Sequence, residues 1–170
     1  SPNADRRPYD TQISLLVIHN ISLPPNEFVG NYVDHLFTNC LNPSFHPYFE
    51  EIGHLRVSAH LYIDREGIIT QYVPLNRRAW HAGESSFDNR TCCNDFSIGI
   101  ELQGADHIPY TEIQYSRLGC LTRQLQSFFP LITLDRIVGH SDISPGRKTD
   151  PGDSFDWKRY LTLLQSDDAF

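Results

Sequence analysis

Leu15-Leu16-Val17-Ile18-His19 is a short run of large aliphatic residues that ends on a histidine, and it is the clearest structural signal in the chain. Two further runs have the same form: Ile98-Gly99-Ile100-Glu101 and Ile137-Val138-Gly139-His140. Such runs predict buried strands, and strand ends commonly carry the polar side chains that meet ligands in α/β proteins. We therefore expect three strands with a functional site where they end.

The pattern between these runs predicts helices and one β-hairpin. Apolar residues at helical spacing indicate amphipathic helices, and Thr111-Glu112-Ile113-Gln114 matches a capping box that starts one of them. Alternation on both sides of a turn containing Asp64 and Gly67 indicates the hairpin. The predicted helices cover residues 27–39, 112–129 and 157–164, the hairpin strands cover 58–63 and 68–73, and the first two long strands cover 14–19 and 97–102.

Three segments predict less regular structure. Residues 1–12 favour an irregular arm, and residues 45–55, rich in His, Pro and aromatic side chains, favour a loop with a short helix. Residues 75–94 form a long polar connection that includes Trp80-His81-Ala82-Gly83. A connection of this length is uncommon unless it builds a site.

Strands interleaved with helices predict an α/β (α+β) fold, with a central mixed β-sheet flanked by helices and one domain spanning residues 1–170. Hydrophobic residues make up 39% and charged residues 21%, and no apolar stretch approaches membrane-spanning length. The net charge is −7 and the Lys and Arg residues are scattered, which argues against nucleic-acid binding. We expect a soluble monomer that binds neither nucleic acid nor membranes.

The four cysteines indicate free thiols. Cys92 and Cys93 are adjacent, a poor arrangement for ordinary disulfide geometry, and Cys40 and Cys120 stand far from them in the sequence. A reducing compartment, the cytoplasm, is therefore expected. The alternative is the periplasm, if a signal peptide has been trimmed.

Two of the strand-terminal residues are candidate metal ligands. His19 and His140 have no local motif in common, and a single histidine at a strand end is more often a core or rim residue than a ligand. Together with Asp150, however, they supply two imidazoles and one hard oxygen, a set that holds one zinc ion with a coordination position open. Water in that position becomes a usable nucleophile near neutral pH.

Glu101 and Lys148 are candidate catalytic partners. Glu101 ends an apolar strand, and Gly99 within that strand permits close approach of another backbone or a ligand. A carboxylate there could pass a proton from water to a leaving amine, although an ordinary solvent-facing strand end is an open alternative. Lys148 could stabilise an oxyanion, or could simply pair with Asp150 or Asp142.

Other histidines dilute this signal, and several are expected to be structural. His60 lies in a predicted strand and His81 beside Trp80, so either could line a pocket, orient a ligand or hydrogen-bond in the core. The remaining ones are His35, His46, His54 and His107.

Five motifs, in order along the chain, resemble those of the AmpD-type zinc amidases. These are the 1,6-anhydro-N-acetylmuramyl-L-alanine amidases of bacterial cell-wall recycling, within the amidase and peptidoglycan-recognition superfamily. The motifs are Val17-Ile18-His19-Asn20-Ile21-Ser22, Leu55-Arg56-Val57-Ser58-Ala59-His60, Arg78-Ala79-Trp80-His81-Ala82-Gly83, Cys93-Asn94-Asp95-Phe96-Ser97-Ile98-Gly99-Ile100-Glu101, and residues 139–152.

The resemblance implies zinc on His19, His140 and Asp150, with Glu101 and Lys148 as catalytic partners. It further implies an anhydromuropeptide substrate. The residues that it places along the substrate groove are Asn20, Arg56, Ala79 and Trp80. An arginine suits this role physically, since its planar donors match the carboxylates of a stem peptide.

One position departs from the family pattern. Close relatives carry an arginine immediately before the Cys-Asn-Asp-Phe segment, where this chain has Cys92. Either Arg90 takes over the contact with the peptide, or the loop on the substrate side is arranged differently.

The sequence supports three functional hypotheses. The leading one is a zinc hydrolase that cuts the amide between the lactyl group of N-acetylmuramic acid, preferably in the 1,6-anhydro form, and the L-alanine of the stem peptide. The second is an exported amidase that acts on intact peptidoglycan. The third is a peptidoglycan-binding module without catalysis, an interpretation that the complete ligand set disfavours.

Overall fold

A five-stranded mixed sheet forms the centre of the protein in the computed structural model, which describes residues 1–165. Its strand order is β4-β3-β8-β2-β9, with β3 and β4 antiparallel and the other neighbours parallel. This arrangement confirms the predicted mixed sheet. The strands, including four outside this sheet, are β1 Ala4–Arg6, β2 Leu15–Ile21, β3 Leu61–Ile63, β4 Ile69–Gln71, β5 Arg77–Ala79, β6 Ser86–Phe87, β7 Arg90–Thr91, β8 Ser97–Gln103 and β9 Ile137–Gly139.

Helices flank the sheet on both faces, as predicted. Within residues 1–165, no helix is both long enough and apolar enough to cross a bilayer. The helices are α1 Tyr32–Phe37, α2 Pro47–Ile52, α3 Glu112–Phe128, α4 His140–Ile143 and α5 Trp157–Gln165, and short 3-10 turns cover Pro43–Phe45, Cys93–Asp95 and Leu134–Arg136.

Strand β2 separates the two faces of the sheet, because successive side chains of a strand point in opposite directions. Leu16 and Ile18 are fully buried in the cluster that contains Leu118 of α3 and Tyr160 of α5. Val17 lies in a second cluster on the opposite face. His19 comes two positions after Val17, so its side chain shares that second face.

The parallel register brings the polar strand residues together. His19 is paired with Glu101 on β8, and Ile18 is paired with Gly139 on β9, so that His140 comes next at the same level. The expectation that the strands end on these residues is wrong in detail: β2 continues to Ile21 and β8 to Gln103, while His140 begins α4. The predicted convergence of the three strands is confirmed.

Several local predictions are confirmed. The hairpin of β3 and β4, the helix turn near residue 47 and the closing helix α5 are all present. The Thr111 capping box is formed, with Thr111 Oγ1 accepting from the Gln114 amide. All four cysteines are free thiols; Cys93 is buried and the other three are exposed.

Three predictions about irregular structure need correction. The N-terminal arm is not wholly irregular, because Ala4–Arg6 pairs antiparallel with Arg77–Ala79. The polar connection of residues 75–94 likewise contains β5, β6 and β7. The helix predicted for residues 27–39 is shorter, because the positive φ angles of Gly30 (74°) and Asn39 (62°) bracket α1 and break the helical path.

Candidate active site

Three side chains converge at the carboxyl ends of β2 and β9. His19 Nδ1, His140 Nδ1 and Asp150 Oδ2 are each 3.0 Å from the other two. Both histidines are buried and Asp150 is largely so. Because zinc ligands at about 2.0 Å in a tetrahedron stand roughly 3.3 Å apart, a triangle of this size fits a single ion.

The hydrogen-bond partner of His140 supports the same interpretation. His140 Nε2 lies 3.0 Å from the Ala82 carbonyl, which only accepts, so Nε2 carries a hydrogen, and in the tautomer that binds metal Nδ1 carries the lone pair. That lone pair faces the Asp150 carboxylate, which is also an acceptor. Two acceptors at this distance need a cation between them, and the chemistry of the donor set fits zinc.

Charge states in the triangle suit metal binding. Burial lowers the pKa of His19 to about 4, so its ring is neutral at physiological pH. Burial alone would raise the pKa of Asp150, but the neighbouring rings of His140 and His19 favour its carboxylate form and hold this pKa below its usual range. A neutral imidazole at His19 and a carboxylate at Asp150 are the forms in which these groups bind zinc.

Glu101 sits beside the triangle in an unusual environment. Its side chain is 9% exposed, and its Oε2 atom is buried without a hydrogen-bond partner among the described residues. Burial, followed by the neighbouring Asp150 carboxylate, raises the pKa of Glu101 well above its usual range. A carboxyl group with a raised pKa holds a proton more readily than an ordinary glutamate, which suits an acid/base role.

Lys148 is the cation of the site. Its side chain is exposed and it lines the same cleft as Glu101 and Asp150. Within residues 1–165 it forms no ion pair, so the alternative pairing with Asp150 or Asp142 is absent. Asp142 is instead engaged by the Gly139 amide, whose nitrogen lies 2.7 Å from its Oδ2.

An open cleft of about 450 Å3 leads to the triangle. Its metal end is polar and contains His140, Glu101, Lys148 and Asp150. Its other end is apolar and is formed by residues of α1, α2 and the neighbouring loops. The apolar lining consists of Leu23, Pro25, Leu36, Phe37, Tyr48, Ile52, Leu55 and Val57.

The five predicted substrate residues are placed differently from one another. Asn20 lines the cleft, but its amide nitrogen already donates to Asp106 Oδ1 at 2.8 Å and to the Pro151 carbonyl at 3.0 Å. Arg56 is exposed beside the cleft, and its guanidinium donates to the neighbouring backbone carbonyls of residues 54 and 55. The role of both in substrate binding stays a prediction.

The other three do not line this cleft. Ala79 is fully buried in β5, and Trp80 is partly buried next to it. Arg90 stacks its guanidinium over the Phe96 ring, 3.9 Å from the centroid, so its charge is directed at that ring and not at the cleft. Which of the two alternatives for the departure at Cys92 applies stays a prediction.

Two groups hold the imidazoles from behind: His81, for which the sequence left a ligand-orienting role open, and the Ala82 carbonyl, which the sequence did not indicate. His19 Nε2 lies 2.9 Å from His81 Nδ1, and the Ala82 carbonyl accepts from both His140 and Arg147. The Trp80-His81-Ala82-Gly83 motif was the available signal, but its partners cannot be deduced from spacing. The close neighbour that Gly99 permits is also revealed here: it is the His81 ring, not a backbone or a ligand.

Comparison with known proteins agrees with this geometry. The family described as N-acetylmuramoyl-L-alanine amidase matches residues 9–153. The chain belongs to the N-acetylmuramoyl-L-alanine amidase family. This amidase is 59% identical over 165 residues to the 1,6-anhydro-N-acetylmuramyl-L-alanine amidase AmpD of Haemophilus influenzae, a match covering 97% of the chain and 90% of that relative. The resemblance to AmpD-type amidases is thereby confirmed.

Solved structures extend the likeness to the fold. This amidase superimposes on a crystal structure of a selenomethionine AmpD derivative with a TM-score of 0.94 and 55% identity, covering 96% of the chain and 91% of that structure. A more distant neighbour is the Escherichia coli amidase AmiD in complex with anhydro-N-acetylmuramic acid-L-Ala-D-γ-Glu-L-Lys. There the TM-score is 0.66 and the identity 25%, over 96% of this chain and 66% of that one.

Proposed function

We propose that this amidase uses one zinc ion to hydrolyse the amide between the lactyl group of N-acetylmuramic acid and the L-alanine of the stem peptide, with preference for the 1,6-anhydro form. The observation that carries the zinc requirement is the triangle of His19, His140 and Asp150, whose acceptor atoms face one another at 3.0 Å. The substrate is supported by the activity printed for the AmpD relative and by the ligand of the AmiD complex.

When bound, zinc supplies Lewis-acid chemistry, because it makes water more acidic and polarises a carbonyl oxygen. The protein's own groups do the rest. Glu101 takes a proton from the attacking water and delivers it to the alanine nitrogen as the amide breaks. The exposed ammonium group of Lys148 stabilises the negative charge that develops on the carbonyl oxygen.

The shape of the cleft is compatible with an amphiphilic ligand. Its polar end holds two of the candidate ligands, His140 and Asp150, together with Glu101, and apolar side chains line its other end. A sugar with a lactyl-peptide branch can place its scissile amide at the polar end while its less polar parts contact the apolar wall.

The proposal is tested by incubating the protein with a defined anhydromuropeptide and, separately, with insoluble sacculi, and by reading the products by mass spectrometry. We expect release of the intact stem peptide from the anhydromuropeptide, loss of this activity after chelation, and its return with zinc. Glu101→Gln serves as the inactive reference. Full activity in the metal-free protein would contradict the proposed chemistry.

The same experiment separates the two other candidate functions. Faster cleavage of sacculi than of the soluble fragment would favour an amidase of intact peptidoglycan. Tight muropeptide binding without cleavage at saturating zinc would favour a binding module.

We also propose that the protein works in the cytoplasm. Support comes from the four cysteines, which are all free, since thiols persist in reducing compartments. Cell fractionation of the natural full-length protein in its own host is the test, and recovery in the periplasmic fraction would contradict it.

A further inference from the structure

The imidazoles of His19 and His140, the two candidate metal ligands, are both hydrogen-bonded to one dipeptide, His81-Ala82. His19 reaches the side chain of His81, with 2.9 Å between Nε2 and Nδ1. His140 reaches the backbone of Ala82, with 3.0 Å between Nε2 and the carbonyl oxygen. The orientations of two ligands that are 121 positions apart in sequence therefore depend on the placement of two consecutive residues.

The direction of these hydrogen bonds is set by the use of His19 Nδ1 as a ligand. A neutral His19 that binds metal through Nδ1 carries its hydrogen on Nε2, so His81 Nδ1 must accept. His81 then carries its own hydrogen on Nε2, which donates to Ser97 Oγ at 3.0 Å.

The dipeptide is held in turn by the side chain of Asn94. The backbone amides of His81 and Ala82 both donate to Asn94 Oδ1, at 3.1 and 2.8 Å. Asn94 lies in the 3-10 turn that precedes β8, and its own carbonyl accepts from Arg7 at 3.1 Å. One amide oxygen thus fixes the backbone that carries both supports of the metal ligands.

The His81 ring has little freedom to adjust if that support is removed. A Cβ atom at Gly99 would come within 2.5 Å of the ring, which shows how closely the imidazole packs on β8. The ring is also in edge contact with His19 and His60, at centroid distances of 5.0 and 5.7 Å. A shift of the dipeptide would therefore be transmitted to His19 instead of being absorbed by the ring.

We propose that Asn94 is a positioning residue for the metal centre, and that its side-chain oxygen presets both imidazoles through the His81-Ala82 dipeptide. Asn94 does not touch the candidate metal position; it acts through residues that touch the ligands. The inference rests on the proposed zinc site but not on the identity of the substrate. It assigns a function to the Asn of the Cys93-Asn94-Asp95-Phe96 motif.

The test compares Asn94→Leu, which removes the acceptor at similar volume, with Asn94→Asp, which keeps an acceptor oxygen. The primary measurement is zinc affinity, obtained by competition with a chromophoric chelator. We expect Asn94→Leu to bind zinc about 10- to 100-fold more weakly, the usual range when the support of a metal ligand is removed. Asn94→Asp should bind zinc more like the parent protein than like Asn94→Leu.

Gln114→Leu is the matched control. Gln114 is a fully buried amide that also anchors backbone, donating to the carbonyls of Ile63 and Gln103, but it has no bond to a metal ligand or to the dipeptide. It should lower the free energy of unfolding of the metal-free protein without changing zinc affinity. The visible spectrum of the Co2+-substituted protein should change in Asn94→Leu and stay unchanged in Gln114→Leu.

Should Asn94→Leu fail to fold, His81→Phe and His81→Gln test the same positioning of His19 through the His81 side chain. We expect weaker zinc binding for His81→Phe and partly restored zinc binding for His81→Gln. Equal zinc affinities and equal Co2+ spectra for the parent, Asn94→Leu and His81→Phe would overturn the inference. Failure of the proposed function is distinguishable, because a parent protein that binds zinc but cleaves no muropeptide still permits every one of these comparisons.

Discussion

Glu101 lies directly opposite His19 on the paired parallel strands β8 and β2. The carboxyl group is therefore held against the candidate metal position by the sheet itself, without a hydrogen bond to its Oε2 from the described residues. A backbone register of this kind is rigid, whereas a carboxyl group on a loop would need additional contacts to stay in place.

Glu101→Gln should lower turnover by at least roughly 100-fold, because the amide cannot transfer a proton. Zinc affinity should be retained, since Glu101 is not one of the three candidate ligands. Steady-state kinetics on a defined anhydromuropeptide, together with a zinc titration, measure both quantities. Glu66→Gln, in the exposed turn of the β3-β4 hairpin, is the control and should behave like the parent protein. Comparable turnover for Glu101→Gln would remove this residue from the mechanism.

Zinc should stabilise the folded protein as well as activate it. A ligand that binds only the folded state at about 1,000 times its dissociation constant adds about 4 kcal/mol to the free energy of unfolding. We expect a higher melting temperature with zinc for the parent protein, and no such shift for His140→Ala. His107→Ala is the control, because the His107 side chain is 81% exposed and its ion-pair partner is Asp153, not a candidate ligand. A zinc-induced shift that survives in His140→Ala would argue against the assigned ligand.

Stability should fall on acidification because of buried histidines such as His60. Burial, and next the charge of Arg7, lower the pKa of His60 to about 3, whereas an unfolded histidine titrates near 6.5. Between these two values the unfolded state binds more protons, so the free energy of unfolding rises with pH and is lost as pH falls. His60→Gln should flatten this dependence by up to about 1.4 kcal/mol per pH unit.

Urea unfolding of the parent protein and His60→Gln at a series of pH values between about 4 and 7 measures that slope. His54→Gln, at an exposed position, is the matched comparison. Identical slopes for the parent protein and His60→Gln would show that the proton uptake on unfolding occurs elsewhere.

Gly99→Ala should destabilise the protein, because the new methyl group would meet the His81 ring at 2.5 Å. Forcing an extra carbon into a packed site costs about 1–3 kcal/mol. Gly119→Ala is the control. Gly119 lies within α3, where alanine favours the helix, and the new methyl group would be 3.5 Å from Leu163, an ordinary contact distance. Denaturant unfolding measures both. A Gly99→Ala variant as stable as the parent would show that the His81 ring can move aside.

The long strands and the metal triangle could be predicted from the sequence. Runs such as residues 15–19 are apolar enough to specify burial locally, and a buried parallel sheet aligns the residues at the carboxyl ends of its strands. His19, His140 and Asp150 emerge because two strand-terminal imidazoles and a carboxylate form a chemically complete set. Their roles as ligands, with those of Glu101 and Lys148, stay predictions until metal and substrate are measured.

The short strands and the supports of the site could not be predicted in this way. Strand β1 is polar and pairs with β5, some seventy residues away, so no local pattern marks it. The hydrogen bonds of His81 and Asn94 depend on where loops fold back, which spacing does not encode. The substrate residues carried over from the family resemblance share this limitation, because Ala79 and Arg90 belong to short strands whose placement was not predicted.

Through Arg7, the N-terminal arm is bonded to residues that lie behind the metal centre. The Arg7 guanidinium donates to four backbone carbonyls, those of Asn94, Asp95, Leu75 and Ser97, at 2.8–3.2 Å. Arg7→Leu leaves these carbonyls without donors, so we expect a loss of about 2–4 kcal/mol in urea unfolding. Arg6→Leu, exposed in the same arm, should change stability by less than about 0.5 kcal/mol. Similar losses for the two variants would contradict a specific role for Arg7.

Two of the carbonyls bound by Arg7 belong to residues whose side chains hold His81, namely Asn94 and Ser97. Clipping the first seven residues by a protease, or beginning a recombinant version after Pro8, would therefore loosen the scaffold behind a metal ligand although no ligand is cut away. Such a shortened enzyme should need more zinc in the assay buffer to reach full activity.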